Sequence, residues 1–493
     1  MVPRFHIFFM SQPQTPLELP LSRAPDAAPL QRQLHARLKH AMLAGSLPPG
    51  SRLPASRLLA QTLGIARNTV SAVYEQLAVE GFVLAGRQGT VVAVLPQPGV
   101  APVAPPLPPL ARRTVLLSAA PVTEYAPAAL RPGEPALPQF PLAAWRRALD
   151  VACRSGSAAL AYGEPAGEPA LRAAIARYLG VARGVRCVPG QIIITEGAQE
   201  ALGLCVRLLS NPGETAWVED PGYRGAKAAM RAGDLRIVPM RVDGQGMVAS
   251  AEDWRAQPPR LVYTTPAHQY PLGPVLSATR RLQLIEAAQA HGAWLIEDDY
   301  DSEFRHAGEP IAALQGLASQ GPVLYVGTFS KTMFPALRLG FLVLPPALLA
   351  ALCAPLAAML RGGHRLEQLA MAHFIDSGQY ARHLGRMRRL YRERQQALRA
   401  ALTQSFDVPH SVEGGHCGLH LTVRLAPQFP DAAIAGAARA YGIAPTALSS
   451  FALAATPADN GLVLGYGNTA PGLYGPLLRR LAQLARAARR MPG

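Results

Sequence analysis

Lys331 closes the segment Gly327-Thr328-Phe329-Ser330-Lys331, directly after an apolar run, and Arg338 lies seven residues further on. One loop therefore offers a primary amine, two hydroxyls and a guanidinium. A primary amine condenses with a carbonyl, while hydroxyls and a guanidinium suit a phosphate. Ser-Lys alone is a weak signal, because most lysines are solvated surface charges. Upstream, Ile193 to Leu202 reads as a strand, a turn at Gly197 and a helix start. Free N–H groups at such a start suit an anion, although an ordinary strand-to-helix turn looks the same. Leu295-Ile296-Glu297-Asp298-Asp299-Tyr300-Asp301 places carboxylates at the end of a buried strand, where ligands of open α/β sheets collect. A solvated acidic loop is the rival reading, and no nearby histidine spacing supports a divalent metal. An amine, an acid able to keep a ring nitrogen protonated and an anion cradle are what an aldehyde cofactor such as pyridoxal phosphate requires.

These groups need a scaffold, and the chain is long enough to build one. Its 493 residues, 49% hydrophobic, predict two or three domains. The runs Ile192–Ile194, Trp217-Val218, Leu261–Tyr263, Trp294–Ile296, Val323–Val326 and Phe341–Leu344 are separated by Ala/Leu-rich stretches of helical length. That rhythm predicts a mostly parallel sheet covered on both faces. Beyond about residue 365, a basic helix from Arg382 to Ala401 and the alternating Leu419, Leu421, Val423 and Leu425 predict a smaller α+β lobe. Residues 95–118 are proline-rich and predict a semi-extended spacer between a small unit at 28–94 and a large one at 119–490.

Leu339 to Leu360 carries no charge over 22 residues, but Pro345, Pro346 and Pro355 interrupt it, so a core strand, turn and helix are expected rather than a membrane span. Five scattered cysteines without a Cys-x-x-Cys spacing indicate a reducing compartment, and a soluble, cytoplasmic protein is expected. His416, Cys417 and His420 lack the spacing of a four-ligand site, so no metal is expected. Met10 is a candidate start alongside Met1. The formal charge of +16 favours polyanions, with arginine-rich genome composition as the alternative.

The small unit reads as a DNA binder. Leu30, Leu34, Leu38 and Ala41 have helical spacing, and Ser56 is placed to cap a second helix from Arg57. Gly64 breaks that helix. A third begins near Arg67, with Val70, Val73, Tyr74 and Leu77 on its buried face. Arg67, Asn68, Thr69 and Ser71 then start the helix with groups that a major groove can accommodate. Gly81 to Val92 predicts a hairpin with Gly89 at its tip, a wing. Residues 30–90 hold seven Arg/Lys and two Asp/Glu, a local +5 suited to phosphates. A small helical dimerisation module is the bland alternative.

Leu53-Pro54-Ala55-Ser56-Arg57, Leu63 to Val70, Tyr74-Glu75-Gln76-Leu77, Glu80-Gly81-Phe82 and Gly89-Thr90 together resemble the winged helix of GntR-type bacterial regulators. The resemblance implies that Arg57, Arg67 and Gly89 approach DNA, with Arg52 as a further phosphate contact; Ser71 stands where the family often has Arg. From about Leu130 onward the chain resembles class I aminotransferases of fold type I. The matching motifs are Tyr162 to Gly167, the Gly197 turn, Glu219 to Tyr223, Thr265 to Gly273, Glu297 to Tyr300 and the Lys331 loop. This implies that Lys331 forms the imine with pyridoxal phosphate, Asp298 pairs with the ring nitrogen, Tyr300 meets the phenolic oxygen and Tyr223 stacks on the ring. Gly197, Ala198, Gln199, Thr328, Ser330 and Arg338 would hold the phosphate, with Tyr162 reaching it from a second subunit of a homodimer.

The order of the two halves is that of the MocR-type regulators. Tyr270 replaces the usual Asn of Asn-Pro-x-Gly, with His268 and Gln269 as candidates to supply the lost contact. The substrate-carboxylate arginine of aminotransferases falls in Leu464 to Asn468, where Asn468 carries no charge and Arg224 or Arg365 would have to compensate. The implied fold is an N-terminal winged helix-turn-helix, mainly α with a β-hairpin wing, joined to an α/β fold-type I transferase domain with a mostly parallel sheet. The implied function is a regulator of promoter DNA that senses pyridoxal phosphate itself, or an amino acid or amine. The alternatives are an active aminotransferase with a fused DNA-binding domain, and a large domain that dimerises without cofactor.

Overall fold

A computed structural model describes residues 20–86, 89–94, 110–117, 127–453 and 455–489. The chain divides into two compact units between Pro109 and Leu110. Within the expected spacer, residues 95–109 lie outside the described residues, and Arg112–Leu117 forms a short helix. That helix starts just beyond the last proline of the run, where N–H donors become available again.

In the first unit, α1 (Leu30–Leu43), α2 (Ser56–Leu63) and α3 (Arg67–Val79) precede the antiparallel hairpin of β1 (Val83–Gly86) and β2 (Gly89–Val92). The core joins Leu34 and Leu38 of α1, Leu59 and Leu63 of α2, and Val70, Val73 and Leu77 of α3 with Val83 and Val92 of the hairpin. Gly64, at φ 62°, ends α2 in the left-handed conformation. Ser56 does not cap α2. It is the first helical residue, Ala55 occupies the cap position, and no side chain caps there. The Tyr74 hydroxyl donates to the Pro54 carbonyl at 2.8 Å and ties α3 to the start of α2.

In the second unit, β3 (Ile192–Thr195), β4 (Thr215–Asp220), β5 (Arg236–Asp243), β6 (Gly246–Met247), β7 (Leu261–Thr264), β8 (Trp294–Asp299), β9 (Val323–Thr328) and β10 (Gly340–Val343) form one sheet. The order is β3-β10-β9-β8-β7-β4-β5-β6. Pairings from β9 through β5 are parallel, whereas β10 runs antiparallel to both neighbours and β6 antiparallel to β5. Period-two alternation explains the unbroken apolar runs. Ile192 and Ile194 enter one core and Ile193 another, and Phe341 and Val343 are likewise opposed to Leu342.

A four-stranded antiparallel sheet of β11 (His410–Glu413), β12 (His420–Leu425), β13 (Thr446-Ala447) and β14 (Gly461–Gly465) builds the smaller lobe. The basic helix spans Gln379–Ser405. Its arginines do more than meet solvent: Arg388 Nε donates to the Glu303 carbonyl at 2.6 Å, and Arg386 and Arg394 bond the carbonyls of Gln139 and Gly467. The uncharged run gives β10, a 3-10 turn at Pro346–Leu348 and a helix at Leu349–Met359. That helix is not core as expected, since only Leu352 and Leu356 of it are buried. Among the described residues no helix is long and apolar enough to cross a membrane.

Candidate cofactor site and nucleic-acid interface

The carboxyl ends of β4, β7, β8 and β9 open onto a cavity of about 320 Å³. Lys331, Asp298, Tyr300, Tyr223, Ala198, Gln199, Thr328, Ser330 and Arg338 all line it, together with Tyr263, Tyr270, Asp301 and His420. Segments separated by more than a hundred residues thus converge on one cavity. Tyr162 does not line it and is 89% exposed in the single chain.

Lys331 Nζ donates to the Gly133 carbonyl at 2.8 Å. Burial holds its pKa below the ordinary lysine value, against the opposing pull of Asp301, Glu134 and Asp298. A depressed pKa leaves more of the amine neutral and nucleophilic. Gly133 admits the lysine closely, since a Cβ there would lie 3.1 Å from Nζ.

Asp298 is buried beneath the cavity. Its Oδ2 accepts from the Tyr263 hydroxyl at 2.7 Å, while Oδ1 is buried without a partner. Burial pushes its pKa up to about 7, partly countered by the Tyr263 hydrogen bond. A buried acceptor lacking a donor is costly, and the N–H of a protonated pyridine ring is the kind of donor that would satisfy it. Across the cavity, Gly197, at φ 80°, precedes the helix Ala198–Leu209, whose first N–H groups have no intrahelical acceptor. The Arg338 guanidinium donates to the Glu196 carbonyl at 2.6 Å and lies 3.4 Å from where a Gly197 Cβ would stand. Thr328 and Ser330 share a hydrogen bond at 3.1 Å beside it. These donors and the cationic fork fit a phosphate, and the site as a whole fits pyridoxal phosphate.

The acidic segment divides its work. Glu297 accepts from the N–H groups of Leu314 and Gln315 at 2.7 and 2.9 Å, and Asp299 pairs with buried Arg183 at 2.6 Å. Asp301 Oδ1 lies 2.9 Å from His268 Nδ1, so the two side chains share a buried hydrogen bond. The Tyr300 hydroxyl, 3.0 Å from that nitrogen, donates to the His268 carbonyl, also at 3.0 Å.

Two expected substitutes for the missing Asn do not reach the cavity. Gln269 Nε2 serves the carbonyls of Pro221 and Tyr270, each at 2.9 Å, and His268 lies behind Tyr300, stacked on it with centroids 5.8 Å apart. Tyr270 itself lines the cavity. Asn468 does not line it; its amide donates to the Ala128 carbonyl at 2.8 Å and to Glu134 at 2.6 Å. Arg365 is held by Glu168 and the Ala158 carbonyl, each at 2.5 Å, and is no substitute clamp. Arg224 lies over the Phe451 ring at 5.1 Å, near enough that its charge acts on Tyr223 and Tyr270. Among the residues lining the cavity, the arginine and lysine side chains are Lys331 and Arg338; His420 is held neutral, its pKa lowered to about 3 by burial.

Sequence reasoning missed Tyr263, whose signal was a hydroxyl in an otherwise aliphatic buried strand, where it must find a partner. One group of potential metal ligands, His268, Asp301 and Cys417, also emerges among the described residues, their ligand atoms within 4.8 Å of one another. Burial, with the Asp301 carboxylate adding to it, pushes the Cys417 thiol well above its ordinary value.

On the small unit, Arg57, Arg67, Asn68, Arg52 and Gly89 are exposed, while Thr69 and Ser71 are half-buried. Arg67 and Asn68 open α3. The wing is pinned along its second edge, with Leu53 N–H bonded to the Thr90 carbonyl and Val92 N–H to the Ser51 carbonyl, both at 2.9 Å. Arg52 bridges to Val91 and so sits against the wing. Residues 87 and 88 of the expected tip lie outside the described residues. Glu80, one of the two acids between residues 30 and 90, is engaged by Lys39, His35 and Gln76, each at 2.8 Å, and its pKa falls to about 2.

Residues 130–455 match the class I and II aminotransferase family, and residues 30–92 match the gntR family of bacterial regulatory proteins. The chain is 37% identical over 451 residues to the probable rhizopine catabolism regulatory protein MocR of Rhizobium meliloti, covering 90% of this chain and 91% of that protein. It is 33% identical over 414 residues to the HTH-type pyridoxine biosynthesis transcriptional regulator PdxR of Corynebacterium glutamicum, covering 83% and 86%. Among solved structures, the α-aminoadipate aminotransferase LysN of Thermus thermophilus superposes with a TM-score of 0.70 at 25% identity, over 77% of this chain and 97% of that one. The large unit therefore has the pyridoxal-phosphate-binding fold of type I aminotransferases. With an N-terminal winged helix-turn-helix ahead of that domain, the chain belongs to the MocR-type regulators of the GntR family.

Proposed function

We propose that this protein regulates transcription by binding promoter DNA through its winged helix and responding to pyridoxal phosphate held in the large domain. Lys331 supplies the amine that joins the cofactor aldehyde, and Asp298 holds the ring nitrogen protonated. Gly197, Ala198, Gln199, Thr328, Ser330 and Arg338 hold the phosphate, Tyr223 covers the ring, and Tyr300 orients its phenolic oxygen. When bound, the cofactor supplies an electron sink to any amine joined to it. Arg67, Asn68, Thr69 and Ser71 face bases, and Arg57, Arg52 and Gly89 face the phosphate backbone.

The observation that carries sensing over catalysis is the cavity's charge. Lys331 is committed to the aldehyde and Arg338 to the phosphate, so among the described residues no lining guanidinium is left to clamp a substrate carboxylate. The PdxR relative adds support for pyridoxal phosphate as the signal. Purified protein saturated with cofactor should transaminate common amino acids at a rate near the protein-free background; efficient turnover with any of them would overturn the sensing reading in favour of an enzyme.

The functional unit is a homodimer. Support comes from Tyr162, which projects from the single chain, and from the Leu349–Met359 helix, an apolar sequence left largely exposed. Sedimentation should give twice the chain mass.

A further inference from the structure

A second cleft, of about 520 Å³, lies in the large unit apart from the Lys331 cavity, and the two have no lining residue in common. One wall is the helix Gln379–Ser405, which presents Arg392, Gln396 and Arg399; the others bring His306 and His416. Arg392 and Arg399 are seven residues apart, so they share a helix face roughly 10 Å apart along the axis. Among the described residues no carboxylate lines the cleft. Arg399 is pinned by a hydrogen bond to the Gly414 carbonyl at 2.5 Å, whereas Arg392 is exposed and has no ion-pair partner among the described residues.

We propose that this cleft is a second ligand site, which takes a small oxyanion, a carboxylate or phosphate group held between Arg392 and Arg399. Two guanidiniums facing one concave surface repel each other until an anion is shared between them, and their planar forks match carboxylate and phosphate oxygens. The Gln396 amide adds an uncharged donor on the same wall. The cleft is also connected to the cofactor site. His306 N–H bonds the His416 carbonyl at 2.9 Å, Gly418 N–H bonds the Phe304 carbonyl at 3.0 Å, and Cys417 Sγ reaches the Asp301 carbonyl at 3.5 Å. An occupant therefore bears on the loop that carries Asp301 at the Lys331 cavity. The site stands on its own residues and does not depend on whether Lys331 takes a cofactor.

The test is calorimetric titration of the full chain with inorganic phosphate and, separately, with succinate. Ionic strength is held at about 0.15 M so that general screening is constant. The expected result is saturable binding of at least one anion, weakened about tenfold or more in Arg392→Ala and in Gln396→Glu, the second of which sets a carboxylate in the cleft. Binding of phosphate alone or succinate alone assigns the source of the oxyanion and supports the site. Arg338→Gln is the control for uptake at the phosphate cradle of the other cavity. Absence of saturable binding, undiminished binding in both cleft variants, or binding abolished by Arg338→Gln but retained in Arg392→Ala would each overturn the proposal. Thermal melts of each variant establish that the fold is intact.

Discussion

Replacing Asp298 with Asn should move the stability of the cofactor-free protein and its hold on the cofactor in opposite directions. Asp298 is 3% exposed, and only one of its two oxygens has a donor. Its pKa rises from 3.8 to about 7 because burial disfavours the charged form. The unfolded chain gives up this proton near pH 4, whereas the folded chain keeps it until near pH 7. Over that window the folded state binds more protons, so stability falls as pH rises and the whole penalty is present by pH 8. Three pKa units correspond to about 4 kcal/mol. An amide of the same shape does not titrate and can still accept from Tyr263. Cofactor-free Asp298→Asn should therefore exceed the parent by up to about 4 kcal/mol at pH 8, narrowing to about 1–2 kcal/mol at pH 5. Its cofactor affinity should fall at least about a hundredfold, because removing one member of a buried ion pair costs about 3–5 kcal/mol. Urea melts at the two pH values and absorbance titration with pyridoxal phosphate read both effects. A variant less stable than the parent at pH 8, or one with unchanged cofactor affinity, refutes the assignment of Asp298.

Lys331→Ala should abolish the visible absorbance of protein-linked cofactor and its trapping by borohydride; a persistent covalent adduct would place the linkage on another amine. Gly197→Ala puts a side chain on a backbone at φ 80° and 3.4 Å from Arg338, so about 1–2 kcal/mol of stability and much of the phosphate affinity should be lost. Unaltered cofactor binding would remove Gly197 from the cradle. In the small unit, Arg67→Ala should relax operator preference by about 1–3 kcal/mol, whereas Arg57→Ala should weaken all sequences alike and lower the salt slope by about 0.9. Gel-shift titrations on operator and random DNA separate the two, and identical profiles for both variants would contradict the division between base and backbone contacts.

Much of this architecture is legible along the chain because it rests on local rules. The six β-branched and aliphatic runs all become strands, since each is buried on both faces. Strand β5, Arg236–Asp243, escapes notice because it is mostly exposed or half-buried and carries Pro239, which breaks the apolar pattern. Lys331, Asp298 and Arg338 stand out because their chemistry is strand-terminal and their spacing is short. What a single sequence hides is partnership across distance. His268 is drawn to Asp301, Gln269 to the carbonyls around its own loop, Asn468 to Ala128 and Glu134, and Arg365 to Glu168. His268, Gln269 and Arg365 are plausible ligands by residue type, Asn468 stands where a clamp is expected, and each is occupied by a contact that only the fold creates. Ser56 fails for a subtler reason: the helix starts one residue earlier, and a good capping side chain becomes its first interior residue.

The proposed sensing role requires that cofactor in the Lys331 cavity change how the winged helix engages DNA. Its most direct test is promoter-DNA binding by the wild-type chain and by Lys331→Ala, with and without pyridoxal phosphate, at one fixed salt concentration and with occupancy followed by absorbance. Cofactor should alter the affinity or the footprint of the wild type and leave Lys331→Ala unaffected. Wild-type binding that stays the same while the cavity fills would contradict it.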